Sequence, residues 1–283
     1  MIVLVTGAFG RLGSTISRQL NSKYRVVALG HSELDLTHHA EVMDIVRDIK
    51  PEIILNCAAY NDVDGAENEP SKAFAVNAFG VRTLACAAHY VDATLVHYST
   101  GFVFDGKTSE PYSEEAATNP QNVYAMSKLL GEWFTQDARS YVLRVESLFG
   151  GDGHQKRESS VDRMADALIE GRNVEAFSDR MVSPSYADDV VTATVSLLTT
   201  CPAVGVYHCV GSGMATWLQI ANELARCFNR SSKIIPISVN DKPLKAKRPK
   251  FCVLSNAKLA KVGIEMPNWK DAVKRYVRNR LEE

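Results

Sequence analysis

The first 150 residues alternate between short apolar runs and amphipathic segments of helical length. Strands are predicted for IVLVT, RVVAL, EIILNCAA, ATLVHYS and YVLRVES, and helices for residues 11–20, 38–49, 69–90 and 122–138. Strands that are apolar throughout are typical of parallel sheets covered by helices on both faces. The pattern therefore predicts an α/β fold with a doubly wound parallel sheet, the Rossmann architecture.

Beyond Gly150 the alternation becomes less regular. The polar segment GGDGHQKRESS leads into predicted helices in VDRMADALIEG and SYADDVVTATVSLLT, a strand at GVYHCVG, and helices over 215–229 and 268–281. We expect residues 1–150 to form the Rossmann domain and residues 151–283 to form a smaller α/β C-terminal lobe. Part of residues 181–205 is expected to return to the first domain, so the boundary is approximate.

Composition narrows the classes of function. The 283 residues are 46% hydrophobic and 23% charged with a net charge of −1, which gives no support for binding nucleic acid or a membrane surface. We expect no signal peptide, and no apolar stretch approaches the roughly 18 residues of a membrane span. Six cysteines without C-x-x-C spacing predict buried free thiols in a reducing cytoplasm, and the histidine spacing predicts no metal site.

The segment VTGAFGRLG places Gly7, Gly10 and Gly13 between the first strand and the first helix. A glycine-rich turn there brings backbone N–H groups close to a diphosphate at the helix N-terminus. The spacing is G-x-x-G-x-x-G rather than the G-x-G-x-x-G of the general dinucleotide-binding pattern. Its position directly after a strand and directly before a helix still favours a dinucleotide-binding loop over a plain tight turn.

The end of the second strand indicates which nicotinamide cofactor the loop would hold. An acidic residue there binds the adenosine ribose of NAD(H), but the strand ends ALGHSELD, with Gly30 and His31 at its end and Glu33 as the first acid beyond it. With Arg11 and His31 expected near a 2′-phosphate, NADP(H) is favoured and NAD(H) stays the alternative. Arg11 is equally explained as a solvated helix residue.

The segment VYAMSKLLGE places Tyr124 and Lys128 four residues apart, on one face of a predicted helix. Alone, this spacing indicates no more than an ordinary pair on a solvated surface. Thr100, however, ends the strand ATLVHYS at the sheet edge that carries the glycine loop, and the helix of Tyr124 follows that strand. A phenol, a hydroxyl and an ammonium group at one edge are suited to carbonyl reduction.

These features together resemble the extended short-chain dehydrogenase/reductases. The start T-G-x-x-G-x-x-G, the segments NCAAY and STGFVFDG, and Y-x-x-x-K occur in that order. Longer segments narrow the resemblance to the dTDP-4-dehydrorhamnose reductase group over essentially the whole chain: NCAAYNDVDGAENEP, PYSEEA, NPQNVYAMSKLLGE, GVYHCVGSGMATW and RPKFCVLSNAKL. The resemblance implies a cytoplasmic enzyme that uses NAD(P)H to reduce the C4 ketone of a nucleotide-activated deoxysugar. It leaves a homodimer open.

The resemblance also implies which residues act. The catalytic set is Thr100, Tyr124 and Lys128, with Tyr124 as general acid and Lys128 also holding the nicotinamide ribose. The implied cofactor-binding residues are Gly7, Phe9, Gly10, Arg11, Leu12, Gly13, His31, Asp35, Leu36, Ala58, Ala59, Tyr60, Tyr98, Tyr124 and Lys128. The implied substrate-binding residues are Thr100, Gly101, Phe102, Ser147 and Arg248. The smaller lobe, which supplies Arg248, is expected to be a substrate lobe.

Two positions depart from the pattern of this group. The group usually reads S-T-D-Y where this chain has Gly101 and Phe102, and it carries a tryptophan where this chain has Ser147. Either the pocket is adapted to a different sugar or nucleotide, or catalysis is relaxed. The second interpretation corresponds to an NADP-binding regulatory protein that resembles the regulatory subunit of methionine adenosyltransferase. A sugar-nucleotide epimerase of the same superfamily is a further alternative.

Overall fold

The computed structural model describes residues 1–136, 138–151 and 159–282. Part of the polar segment GGDGHQKRESS, residues 152–158, therefore lies outside the described residues. The strands β1–β13 are, in chain order, Ile2–Thr6, Arg25–Leu29, Ile53–Asn56, Thr94–Thr100, Ser140–Val145, Leu148–Phe149, Val174–Phe177, Met181–Val182, Ser185–Tyr186, Gly205–His208, Ala215–Thr216, Ile234–Ile237 and Phe251–Cys252. The helices α1–α11 are Arg11–Leu20, His39–Ile49, Val63–Asn68, Pro70–Phe74, Val81–Tyr90, Val123–Phe134, Ser160–Ile169, Ala187–Thr200, Trp217–Cys227, Ala257–Lys261 and Trp269–Glu282.

Within the described residues, six parallel strands form the central sheet in the order β10-β5-β4-β3-β1-β2. From β1 the chain goes outward to β2 on one side and to β3, β4 and β5 on the other. The carboxyl ends of β1 and β3 therefore flank the point where the order reverses, where ligands bind in open parallel sheets. The predicted doubly wound α/β fold is confirmed.

The two faces of the sheet explain its uninterrupted apolar strands. Val3 and Val5 pack on one face in a cluster that includes residues of α1 and α8, whereas Leu4 packs on the other face with residues of α2 and α5. Because alternate side chains of a strand point to opposite faces, a strand covered on both sides needs apolar residues at every position.

A smaller lobe packs around its own core of buried side chains from α7, α9 and α11. Its strands form short sheets in which β7 pairs with β12, and β8 lies between β11 and β13. These short strands were not predicted, because two- to four-residue strands carry too little periodicity to separate them from loops.

The chain returns from this lobe to the central sheet. Helix α8 packs against α1, and β10 pairs with β5 at the edge of the six-stranded sheet. The returning segment thus reaches His208, three residues past the end of the expected range. The predicted helix at 185–199 begins only at Ala187, because Ser185 and Tyr186 pair with β6 as a short strand.

The predicted helix over 69–90 is not continuous. It divides into α4, a π-helix over Ala75–Gly80, and α5. Asn77 lies in the π-helix with its side chain hydrogen-bonded to the backbone of Tyr60 and to Ser127. π-Helical turns inside α-helices are frequent at functional sites, and this one supports the segment that follows β3.

The cysteines are free, but the prediction that most are buried is only partly correct. Cys209 and Cys252 are buried, whereas Cys86 and Cys201 are exposed. Cys86 lies on the outer face of α5, and Cys201 ends α8 in a left-handed conformation with φ of 45°. In the part of the chain that the structure describes, no helix has the length and apolar character of a membrane span, and no cluster of His, Cys, Asp or Glu side chains could hold a metal ion.

Candidate active site

A cleft of about 610 Å³ opens at the carboxyl edge of the sheet, between the Rossmann domain and the smaller lobe. We call it the central cleft. Of the residues predicted from sequence, those that line it are Gly10, Arg11, Leu12, Ala58, Ala59, Tyr98, Thr100, Phe102, Tyr124, Lys128, Ser147 and Arg248. The topology therefore brings the glycine loop, the predicted catalytic set and most of the predicted substrate residues to one place.

The glycine loop is shaped by two close backbone approaches. Gly7 has φ of 62°, and a Cβ there would lie 2.6 Å from the backbone nitrogen of Ala58. A Cβ on Gly13 would collide with the carbonyl oxygen of Gly7. Gly10 is exposed, and no side chain caps the N-terminus of α1 that it begins. The loop thus presents uncapped backbone N–H groups to the cleft, which fits the diphosphate of a dinucleotide.

Arg11 directs its charge toward the smaller lobe. Its guanidinium donates to the carbonyl of Gly150 at 2.6 Å and to the Asp162 carboxylate at 2.6 Å. Asp162 also accepts hydrogen bonds from the backbone N–H of Ser159, the N-cap residue of α7, and from the Tyr276 hydroxyl. The expectation that Arg11 lies near a 2′-phosphate gains no support from this geometry, because its guanidinium already binds the other lobe.

The end of β2 contains a carboxylate that the sequence analysis placed beyond the strand. Glu33 folds back so that its Oε2 accepts a hydrogen bond from Gly30 N at 2.9 Å. His31 is 84% exposed, and its ring lies 3.9 Å from the Asp35 carboxylate. An acid therefore does lie at the end of β2, and the expectation that this position lacks one is wrong. A Cβ at residue 30 would collide with the Phe9 ring and would lie 2.9 Å from Glu33 Oε2, so the glycine leaves room for both side chains.

The segment after β3 is held in place by two asparagines. Asn56 Oδ1 accepts from Ala58 N at 3.2 Å and from Thr6 Oγ1 at 2.7 Å. Asn77 binds both backbone polar groups of Tyr60, donating to its carbonyl at 3.0 Å and accepting from its N–H at 2.8 Å. These bonds fix the backbone of residues 58–60 along the wall of the cleft between the glycine loop and α6.

Helix α6 carries Tyr124 and Lys128 on the face that lines the cleft. Asn122 caps the helix by accepting a hydrogen bond from Ala125 N at 2.8 Å. Lys128 is 2% exposed, and its Nζ donates to the carbonyl of Tyr98 at 2.6 Å. Burial lowers the pKa of Lys128 to about 8, although the nearby Glu132 carboxylate raises it in part. The ammonium form therefore predominates at neutral pH.

Thr100 and Phe102 also line the central cleft. Thr100 ends β4, and its Oγ1 accepts a hydrogen bond from Phe102 N at 3.2 Å. The ring of Phe102 lies edge-on to the ring of Tyr124, with 6.2 Å between their centroids and an interplanar angle of 88°. This contact positions the Tyr124 phenol on the side of the cleft where Thr100 lies.

Arg248, from the smaller lobe, also lines the cleft. Its guanidinium pairs with both oxygens of Asp64, at 3.1 and 2.8 Å. Asp64 also accepts from Ala246 N at 2.8 Å. Burial raises the pKa of Asp64, but these hydrogen bonds bring it below its ordinary value. The smaller lobe is thus attached to α3 beside the predicted substrate position.

Among the described residues, the following predicted residues do not line the cleft themselves: Gly7, Phe9, Gly13, His31, Asp35, Leu36, Tyr60 and Gly101. Leu36 is buried in the core, and Asp35 accepts from the backbone and hydroxyl of Thr37. The Tyr98 phenol points into the core, where it hydrogen-bonds to Thr194 on α8. It is the backbone carbonyl of Tyr98 that contacts the predicted catalytic set, by accepting a hydrogen bond from Lys128.

Several cleft residues were missed by the sequence analysis. Glu146 and Arg180 line the cleft and are buried, and Trp217 also lines it with an indole N–H that finds no partner among the described groups. Glu146 could have been predicted from sequence, because it directly follows an apolar parallel strand and therefore lies at the ligand-binding edge of the sheet. The others come from the smaller lobe, whose placement on the cleft is not encoded in local periodicity.

Comparison with known proteins adds four findings. A family model described as the RmlD substrate binding domain matches residues 1–281. A dTDP-4-dehydrorhamnose reductase of Burkholderia thailandensis is 33% identical over 302 residues, covering 100% of each chain. The crystal structure of a dTDP-4-dehydrorhamnose reductase of Clostridium acetobutylicum matches with a TM-score of 0.94 at 32% identity over 100% of each chain. That of a dTDP-4-dehydrorhamnose reductase of Bacillus anthracis in complex with NADP matches with a TM-score of 0.93 at 31% identity, covering 98% of this chain and 99% of that chain.

Proposed function

Because this chain belongs to the family described as the RmlD substrate binding domain, we propose that it is an NAD(P)H-dependent oxidoreductase that reduces the C4 ketone of a nucleotide-activated deoxysugar. The observation that carries the proposal is the central cleft, which Thr100, Tyr124 and Lys128 line together with the glycine loop. A protein that only binds a dinucleotide would need the glycine loop but not the three side chains. A proton donor and a buried ammonium beside it are what ketone reduction requires.

The proposed roles follow from the positions of the three side chains. Tyr124 protonates the developing alkoxide, and Thr100 orients the ketone by hydrogen bonding to its oxygen. A free phenol has a pKa of about 10, and a neighbouring ammonium favours its ionised form. Lys128, one helical turn after Tyr124 and buried, supplies that charge. Bound NADPH would supply the hydride.

The proposed cofactor is NADP(H), with NAD(H) as the alternative. A solved relative that is 31% identical was crystallised with NADP. The glycine loop would hold the diphosphate at the N-terminus of α1, and Lys128 would hold the nicotinamide ribose. Ala58 and Ala59 would line the cofactor along the wall after β3. For the adenosine ribose, the nearest groups at the end of β2 are Glu33 and His31.

Glu33 gives a test of cofactor choice. Replacing Glu33 by glutamine keeps an acceptor for Gly30 N but removes a negative charge from the end of β2. We expect the ratio of kcat/KM with NADPH to kcat/KM with NADH to rise about five- to tenfold. The matched control is Glu41→Gln, an exposed glutamate on α2. An unchanged ratio would mean that Glu33 does not face the ribose.

The substrate is proposed to bind in the half of the cleft toward the smaller lobe. Phe102, Ser147 and Arg248 line the cleft, and Arg248 pairs with Asp64. Arg248 is the proposed contact for the diphosphate of the substrate, because a guanidinium binds phosphate oxygens in the same bidentate manner as a carboxylate.

The deciding experiment measures NADPH and NADH oxidation by the purified protein with dTDP-, GDP- and UDP-4-keto-6-deoxysugars, next to Tyr124→Phe. Turnover of one panel member that is lost in the variant is the expected result. Cofactor that co-purifies with the protein, without net oxidation, would instead favour a sugar-nucleotide epimerase. NADPH binding with no turnover, together with stoichiometric capture of a protein partner, would favour a regulatory protein.

We further propose a cytoplasmic homodimer whose first 150 residues, with the returning segment, bind the cofactor and whose smaller lobe binds substrate. Exposed apolar side chains occur on adjacent outer surfaces of the π-helix and α6: Phe79, Met126 and Trp133 are 43%, 44% and 56% exposed. Met126 and Trp133 lie seven residues apart, on one face of α6. A second copy of this chain is the proposed occupant.

Sedimentation equilibrium tests the dimer. The wild-type chain is expected to sediment as a dimer, and Trp133→Glu is expected to weaken association at least tenfold by placing a charge in an apolar contact. Met214→Glu, at an exposed methionine in the smaller lobe, is the control. A monomeric wild type, or a control that dissociates equally, would contradict the proposal.

A further inference from the structure

Glu146 is a buried carboxyl group inside the central cleft to which the proposed mechanism gives no role. It directly follows β5, and the register of β4 and β5 pairs Thr100 with Val145. Glu146 therefore lies beside Gly101 at the carboxyl edge of the sheet. Its side chain is 4% exposed and lines the cleft with Thr100 and Ser147.

Glu146 occupies the space that a side chain at position 101 would need. A Cβ added to Gly101 would lie 3.0 Å from Cγ of Glu146. In the pattern that this chain resembles, position 101 is an aspartate. Here the carboxylate comes from the neighbouring strand instead, and the glycine makes room for it. The departure at Gly101 thus has a structural explanation.

The surroundings of Glu146 leave part of its hydrogen-bonding capacity available. Its Oε2 accepts from Ser183 N at 3.2 Å, and the Ser147 hydroxyl is a further donor. An ionised carboxylate has about four acceptor positions, so two protein donors do not saturate it. The remaining positions are available to a ligand in the cleft that the group lines.

The electrostatic balance places this carboxyl group near its titration point at neutral pH. Burial raises the pKa of Glu146 to about 7, whereas Ser147, the Arg180 guanidinium and Ser183 N lower it in part. Among the described residues, the charged or titratable groups that interact with it are Arg180 and the buried Cys252 thiol. Arg180 lies over the Phe102 ring, 5.8 Å from its centroid, so Glu146, Arg180 and Phe102 belong to the same wall.

We propose that Glu146 accepts a hydrogen bond from a hydroxyl group of the substrate's sugar ring and thereby selects the sugar. This inference rests on the proposed function, since it assumes a sugar nucleotide in the cleft. Glu146 is a specificity-determining residue, distinct from the three groups that act on the ketone. A sugar that lacks the hydroxyl leaves a buried carboxylate incompletely hydrogen-bonded, and that discriminates strongly against it.

The test compares dTDP-rhamnose, the reduced counterpart of the ketone named for the relatives, with dTDP alone. Dissociation constants are measured by calorimetry in the presence of NADP for the wild type and for Glu146→Gln. The variant is expected to bind dTDP-rhamnose about tenfold more weakly while its affinities for dTDP and NADP stay unchanged. Glu114→Gln is the control, because Glu114 is another partly buried glutamate with a raised pKa and accepts from His208 N away from the cleft.

A pH series separates a binding role from a purely structural one. The reference ligand for this series is the methyl ester of dTDP, whose terminal phosphate is esterified as it is in dTDP-rhamnose and therefore does not titrate near pH 7. The ratio of the dissociation constant of this ester to that of dTDP-rhamnose cancels any titration of the shared diphosphate. In the wild type this ratio is expected to rise as pH increases through about 7, because the ionised group is the stronger acceptor. In Glu146→Gln the ratio is expected to be independent of pH.

Equal affinities of the two proteins for dTDP-rhamnose, or an equal loss for dTDP and dTDP-rhamnose, would overturn the role of Glu146. These outcomes leave the proposed function intact if the wild type reduces a member of the ketosugar panel. A wild type that neither reduces any panel member nor binds dTDP-rhamnose would overturn the proposed function, and the role of Glu146 with it.

Discussion

Replacing Tyr124 by phenylalanine is expected to lower kcat by about 10²- to 10⁴-fold, the usual effect of removing a general acid. The ring and its edge-on contact with Phe102 are retained, so only the hydroxyl is lost. Binding of NADPH and the melting temperature are expected to stay close to those of the wild type. Pre-steady-state measurement of NADPH oxidation, with the ketosugar that the panel identifies, gives the rate of the chemical step.

The control for this variant is Tyr90→Phe, since Tyr90 is 67% exposed at the end of α5. It removes the same hydroxyl from the surface and is expected to leave kcat unchanged. A Tyr124→Phe variant that keeps more than a tenth of wild-type kcat would assign the proton to another donor. The Thr100 hydroxyl, on the same cleft wall, would then be the next candidate.

Local sequence was sufficient to predict the Rossmann domain because its determinants are local. Val3, Leu4 and Val5 are each buried on one or the other face of the sheet. The apolar run is therefore enough to predict a parallel strand that is covered on both faces. Likewise, the close approach of Gly7 to Ala58 excludes a Cβ. A loop that needs glycine at such a position can be recognised from glycine spacing next to a strand.

Interactions between distant segments could not be predicted in the same way. Arg11 binds Asp162, 151 positions later in the chain, and nothing in the pattern around Arg11 indicates this partner. Glu33 accepts a hydrogen bond from Gly30 N because the chain turns between them, and the residue types alone do not predict this turn. Both cases concern the cofactor prediction, which depended on where charged side chains point rather than on which segments form helices or strands.

The departures at Gly101 and Ser147 show a third kind of limit. From sequence, the loss of an aspartate at position 101 is compatible with relaxed catalysis or with an altered pocket. The structure places the Glu146 side chain beside Gly101 and in the lining of the central cleft, so the cleft still holds a carboxyl group. A sequence pattern predicts each strand separately. The side chains that meet at a sheet edge depend on the register between neighbouring strands, which the pattern does not give.

Lys128 combines a functional requirement with a cost in stability. Its ammonium group is buried beside His97, whose pKa is lowered well below its ordinary value by burial and by the charge of Lys128. Asn56 donates to His97 Nδ1 at 3.1 Å, since its Oδ1 already accepts from Ala58 N. The neutral ring then carries its proton on Nε2, 3.5 Å from the Lys128 Nζ, and offers the ammonium no acceptor.

Replacing Lys128 by methionine, which fills a similar volume without charge, is therefore expected to separate stability from function. We expect kcat/KM to fall at least a hundredfold and NADPH affinity to fall about tenfold, because the charge beside the phenol and the contact to the nicotinamide ribose are both lost. The melting temperature at pH 7 is expected to match or exceed that of the wild type, since a charge with a folded pKa of about 8, below its ordinary 10.5, opposes folding.

The sign of this effect can be checked by varying pH. Below about pH 8 Lys128 is protonated in both the folded and the unfolded wild type, so the full penalty applies. Between about pH 8 and 10 the folded protein loses this proton first, and the wild type is expected to gain up to about 3 kcal/mol relative to the variant. Thermal unfolding of both proteins across this range measures the difference. A constant difference would mean that Lys128 titrates normally in the folded protein, and the buried ammonium would no longer explain how the Tyr124 phenol is activated.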